Sequence, residues 1–306
     1  MDKQFLEDVI LGLSSSPKTL SSKYFYDDAG DKLFQQIMAL DEYYLTDCEH
    51  EIFTTHRATL LEHFVSACDL FHLVEFGAGD AYKTKVLLKY FLDQNVAFEY
   101  NPIDISGSSL NTLTEDLNQS LPLLSVHSMN HEYFKAVKEM SQKSTCKKVI
   151  LFLGSNIGNF SEEEADVFFR HLADLLQPGD QLLTGFDLMK DPRVILAAYN
   201  DSKGVTRDFN LNLLKRINRE LDGDFKVGEF YHYPMYDPDN GTARSYLISR
   251  KKQEVSIGTN PTVIKFEKDE PIFMEISQKY SLEDIENFAA RADFRIAENF
   301  FDKRKF

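Results

Sequence analysis

The stretch Leu73-Val74-Glu75-Phe76-Gly77-Ala78-Gly79-Asp80 constrains this chain more than any other. It reads as a buried strand that stops on two glycines and feeds straight into a helix. That arrangement opens an α/β sheet. Glycines there let the backbone turn sharply and approach a ligand closely. At the carboxyl end of a first strand the ligand expected is nucleotide-like. A dinucleotide fingerprint would place its third glycine at position 82, where Tyr82 stands. The motif therefore disfavours NAD and favours S-adenosylmethionine (SAM), which has no pyrophosphate for a helix N-terminus to hold. A plain strand-to-helix turn in any α/β protein gives the same local pattern.

Strand and helix patterns alternate from about 47 to 189. A helix is expected over Glu49–Phe64, a strand over 70–77 and a helix over 80–93. The next strand opens at Ala97 and ends near Asp104-Ile105-Ser106, and Leu110–Leu117 reads as a helix. Lys148–Gly154 is almost wholly apolar, as a strand covered on both faces must be. Ser161-Glu162-Glu163-Glu164 is a capping box, and Pro178-Gly179-Asp180 stops the helix that it starts. Gln181–Phe186 is one more strand. Such alternation implies a parallel, doubly wound sheet. Before it, Asp27-Asp28-Ala29-Gly30 turns into a helix bracketed by Tyr24, Tyr26, Tyr43 and Tyr44. After 190 the pattern changes to a long helix, Lys203–Leu221, and three extended segments, Phe225–Tyr236, Ala243–Arg250 and Pro271–Tyr280. That meander marks a second domain or a large insertion. A helix and a short strand, Phe294–Ile296, close the chain.

Composition narrows the function. The 306 residues are 43% apolar, enough to bury a sizeable core in one large or two smaller domains. A net charge of -15 argues against a nucleic-acid partner, whose phosphates this surface would repel. Cys48, Cys68 and Cys146 are odd in number and far apart, which suits a reducing cytoplasm. The first residues lack a signal-peptide pattern, and no apolar run is long enough to span a membrane. The eight histidines are scattered and make no metal-binding motif, and a Gly-x-Ser-x-Gly elbow and a P-loop are missing from the sequence.

Three places carry candidate chemistry. Asp104 lies 27 residues after Gly77 at a strand end, where it can accept both hydroxyls of a ribose or cap the next helix. Gly154-Ser155-Asn156-Ile157-Gly158-Asn159 follows the most apolar strand, as a ligand loop or a simple turn. Asn159 offers a donor and an acceptor to a polar substrate. Glu275 and Ser277 alternate onto one face of an extended segment, as a solvated pair or as ligands for a polar substrate group.

Taken together, several stretches resemble the SAM-dependent histidine-specific methyltransferases. They are Lys23–Gly30, Asp41–Thr46, Glu75–Gly79, Asp104–Ser106, Phe152–Asn159, Asp187–Pro192, Ala197–Tyr199, Phe209–Asn212 and Ile217–Leu221. The match runs in order along almost the whole chain. It implies a Rossmann-like doubly wound sheet that binds SAM, formed by 47–189 plus 281–306. It also implies a second, α+β substrate-binding domain formed by 1–46 plus 190–280, with the amino acid held between the two. The implied activity is methylation of the α-amino group of L-histidine, up to the trimethylated betaine. By motif, Gly77, Gly79, Lys83, Asp104, Gly154 and Ser155 would line the SAM site. Tyr43, Asn159 and Tyr199 would hold the backbone end of the substrate, and Tyr26, Glu275 and Ser277 would read its imidazole.

Two departures stand out. The family's Asp-Phe pair near the adenine is missing from Ser128-Met129-Asn130-His131, where Asn130 stands in. The family's methionine beside the imidazole aligns with Tyr246. Another amino acid, an imidazole metabolite, or a silent binder of SAM and amino acids are the alternatives these departures leave.

Overall fold

The computed structural model describes residues 2–65 and 70–306, so Cys68 lies outside the described residues. The chain divides into two compact units, each built from two separate segments. One comprises Leu45–Leu188 and Tyr280–Phe306; the other comprises Met1–Tyr44 and Met189–Lys279.

The first unit is organised by a parallel sheet. Its strands run in the order Ser125–Val126, Phe98–Asp104, Phe71–Phe76, Lys147–Phe152, Gln181–Thr184. Met129–Asn130 adds a further short pairing to Phe98–Asp104. Every residue of Phe71–Phe76 is buried. Period-two alternation sends its side chains to two different cores. Leu73, Val149 and Leu151 join one with Leu87, Leu88 and Phe91, while Val74, Phe76, Ile150 and Phe152 join the other with Phe168 and Phe169. Helices on both faces explain why these strands are mostly apolar. The chain passes from Phe71–Phe76 to a neighbour on one side and later to Lys147–Phe152 on the other. The carboxyl ends of these three strands therefore border the crevice where such sheets bind ligands.

Helix starts follow the caps. The Ser161–Glu164 capping box forms as its sequence implies. The helix after the glycine turn starts at Thr84 rather than near Asp80. Gly77, Gly79 and Ala81 all have positive φ, so no helix can pass through them. No strand forms at Phe294–Ile296. Asp293 is left-handed and Phe294 N–H donates back to Ala289 O, so these residues terminate the preceding helix instead.

The second unit holds a four-stranded sheet in the order Lys18–Thr19, Pro271–Gln278, Thr242–Ser249, Phe230–Asp237. A separate hairpin pairs Gln253–Ile257 with Thr262–Phe266. The helix Val205–Glu220 packs Phe209, Leu213 and Ile217 with Leu247, Ile272 and Met274 of the sheet. The helix Lys3–Ser14 adds Phe5, Val9 and Leu13, spaced four apart on one face.

Candidate active site

The glycine turn, Asp104 and the Gly154 loop sit at the ends of three adjacent strands. Gly77 has φ +65° and its N–H donates to Ile103 O at 2.9 Å. A Cβ at Gly77 would lie 3.0 Å from Tyr133 Oη, whereas one at Gly79 would meet nothing within 4 Å. The turn thus leaves open space beside Gly79. Asp104 accepts from Ser106 N–H at 2.8 Å, and burial raises its carboxyl above the usual range. The cap of the next helix is Ser106, whose side chain accepts from Ser109 N–H, so Asp104 does not serve as that cap. Asn130 Nδ2 donates to Asp104 O at 3.0 Å, which brings the two together.

Lys83 forms an ion pair with Glu49, and Glu49 also accepts from Gly154 N–H at 2.7 and 3.0 Å. Lys83 Nζ would lie 3.6 Å from a Cβ at Gly154. Ser155 is left-handed, and its buried hydroxyl has no hydrogen-bond partner among the described residues. Asn159 is exposed at the end of the turn Asn156–Asn159. Beneath the glycine turn, buried Glu75 accepts from Thr84 Oγ1 at 2.7 Å and Tyr100 Oη at 2.5 Å. Loss of water pushes its carboxyl up to about 7. An open glycine face, a carboxylate at the second strand end and a mixed Lys83–Glu49 pair fit a nucleoside joined to a zwitterion. Glu49 and Tyr133 escaped the sequence reading, because neither carries a local motif. Tyr133 reaches Gly77 only by stacking on Phe76, with ring centres 4.5 Å apart.

The second unit gathers the other candidates. Glu275 pairs across the sheet with Ser245 and Ser277 pairs with Ala243, so both point to the same face. A register shift between Phe273 and Glu275 turns the carboxylate onto that face. Glu275 is half-buried; desolvation pushes its carboxyl up to about 7, against the pull of the Lys279 ammonium. Ser277 is buried and accepts from Tyr199 Oη at 2.7 Å. Ser245 lies 3.3 Å from His232 Nε2. Burial pushes His232 down to about 4, which keeps it neutral. The sequence reading passed over His232 because it stands alone in the chain.

Tyr246 is not brought to this face. It pairs with Phe273 and Tyr233 and so points to the other side of the sheet, where its ring meets Phe273 at 5.7 Å. Ser245 stands across from Glu275 instead. A one-residue slip in aligning a strand moves every side chain to the opposite face. Tyr26 and Tyr43 are brought together around Phe34, with ring centres 5.6 and 6.3 Å from it, and Tyr26 is 46% exposed.

Among the described residues no group of three or more His, Cys, Asp or Glu could hold a metal ion. No helix among them is long and apolar enough to cross a membrane. Comparison with known proteins gives a family model and several relatives. The model of the family described as "Histidine-specific methyltransferase, SAM-dependent" matches residues 5–306. The histidine N-alpha-methyltransferase of Mycolicibacterium smegmatis is 33% identical over 288 residues, 94% of this chain and 88% of that protein. That of Mycobacterium tuberculosis is 33% identical over 273 residues, 89% of this chain and 83% of that protein. The L-tryptophan methyltransferase trpM of Psilocybe serbica is 28% identical over 300 residues, 89% of this chain and 82% of that protein.

Proposed function

Because this chain belongs to the SAM-dependent histidine-specific methyltransferases, we propose that it methylates the α-nitrogen of L-histidine, in up to three rounds. The observation that carries this reading is the shared sheet face of Glu275 and Ser277, with Tyr199 bonded to the serine. An ionised carboxylate accepts a ring N–H, and a hydroxyl serves the second ring nitrogen. SAM supplies the methyl group on a sulfonium. Gly77, Gly79, Lys83, Asp104, Asn130, Gly154 and Ser155 are the residues we assign to it, with Asp104 accepting the ribose hydroxyls. Tyr43, Asn159 and Tyr199 are assigned to the backbone end of the amino acid. Their task is alignment, since holding the amine in line with the methyl carbon can supply much of the rate. The aromatic faces of Tyr26 and Tyr43 suit a product that ends as a quaternary ammonium. The substrate is a small molecule, and the three separated cysteines favour a cytoplasmic location.

An indole-bearing amino acid is the second reading. The relative named for tryptophan favours it, and the residue across from Glu275 is the small Ser245. Against it, indole has one N–H for the two polar groups of this face, and a stranded buried polar group is costly. Tyr199→Phe and Asn159→Ala test the anchoring assignment. Each should raise KM for the amino acid and lower kcat together, with SAM affinity unchanged by calorimetry. Loss of SAM binding with amino-acid binding intact would overturn it.

A further inference from the structure

Lys279 is fully buried, and a buried ammonium persists only where acceptors replace its water. Two of its acceptors are hydroxyls. Lys279 Nζ donates to Tyr199 Oη at 2.7 Å and to Ser277 Oγ at 2.8 Å, and lies 4.8 Å from the centre of the Tyr199 ring. Tyr199 Oη donates to Ser277 Oγ at 2.7 Å. An ammonium only donates, so it sets the sense of both bonds. Ser277 Oγ then receives two hydrogens, which fills its two acceptor positions. The remaining function of the serine is to donate its own hydrogen. Glu275, two residues back on the same face, supplies the opposite character once it is ionised.

We propose that Lys279 is a positioning residue that locks Ser277 as a donor, so that Glu275 and Ser277 together select a ring with one N–H and one unprotonated nitrogen. Neutral imidazole meets both demands. Imidazolium turns a second N–H against the serine hydrogen, and indole leaves that hydrogen without an acceptor. This rests on reading Glu275 and Ser277 as the pair that faces the substrate ring, and it adds a residue that never touches the ring.

Two histidine analogues separate the terms. 3-(Thiazol-4-yl)-L-alanine keeps the acceptor nitrogen and lacks the N–H, and 3-(2-thienyl)-L-alanine lacks both. Methyl transfer to each should be measured with wild type, Lys279→Met, Ser277→Ala and the double variant. Wild type should favour the thiazole over the thiophene in kcat/KM, and each single variant should lose about tenfold of that preference. The double variant should lose no more than either single one. SAM affinity by calorimetry should stay as in wild type, and Lys279→Arg should recover part of the preference because it remains a cation that only donates. If Lys279→Met does not fold, Lys279→Gln should show the same loss, since an amide can also accept and frees the sense of the chain. Additive losses, or a preference unchanged in the Lys279 variants while Ser277→Ala abolishes it, would overturn the role of Lys279. A preference unchanged in Ser277→Ala would instead remove the reading of Ser277 itself.

Discussion

Glu275 has to be charged to accept a ring N–H, yet its surroundings favour the neutral acid. Desolvation puts its carboxyl at about 7, so ionisation falls within the working pH range. We expect kcat/KM for L-histidine to climb as pH rises through about 7. Glu275→Gln should remove the enzyme's part of that limb, leaving the rise set by the substrate's own imidazole and amine, and cost about tenfold to a hundredfold in kcat/KM. A pH profile of unchanged shape in Glu275→Gln would assign the enzyme's titration to another group. The stability effect runs the other way. A carboxyl raised above its ordinary 4.5 favours the folded state in its protonated form. That contribution is complete below 4.5 and is lost as pH rises through about 7. Without substrate, Glu275→Gln should therefore melt above wild type at pH 8 and close to it near pH 4, by scanning calorimetry. Asp104 belongs at this scale too. Asp104→Ala should weaken SAM binding by about 1.5–3 kcal/mol if its carboxylate accepts the ribose hydroxyls. Wild-type affinity in that variant would place the ribose elsewhere. Gly77, Asp104 and the Glu275–Ser277 alternation could be read from the sequence because each rests on local chemistry. Lys279, Glu49 and His232 could not, because their roles come from partners tens of residues away in the chain or across a strand pair.

Elements in this protein place residues by turn and register rather than by propensity. The glycine turn is the clearest case. Gly77→Ala would force a side chain to φ +65° and bring its Cβ to 3.0 Å from Tyr133 Oη. We expect a stability loss of about 1–2 kcal/mol from the left-handed backbone alone. SAM affinity should fall with it, and a calorimetric titration reads both the fall and its absence. Strands buried on both faces were legible as apolar runs, and the Ser161–Glu164 box was legible as a cap. Shorter signals were not. Phe294 looked like strand but ends a helix through the left-handed Asp293. Tyr246 and Ser245 are neighbours on one strand, so they lie on opposite faces of the sheet and only Ser245 shares the face of Glu275. The shift beside Met274 that re-aims Glu275 has no sequence signature of its own.

At the level of the whole molecule, two compact units share one family assignment that spans residues 5–306. Neither unit is a single run of chain. Lys18–Thr19 pairs with Pro271–Gln278 across some 250 positions of sequence, and residues near the C-terminus complete the first unit. The parallel sheet was predictable because alternating strands and helices leave few ways to cover both faces. The hairpin Gln253–Phe266 was not, since its strands are short and carry charges on their outer faces. One assay addresses the activity most directly. Purified protein is incubated with SAM and equimolar amounts of the twenty amino acids, and tandem mass spectrometry identifies which one gains methyl groups and on which nitrogen. L-histidine should be the preferred acceptor, with every added methyl on the α-nitrogen. Methylation of the imidazole ring, or a preference for tryptophan or any other amino acid over histidine, would contradict it.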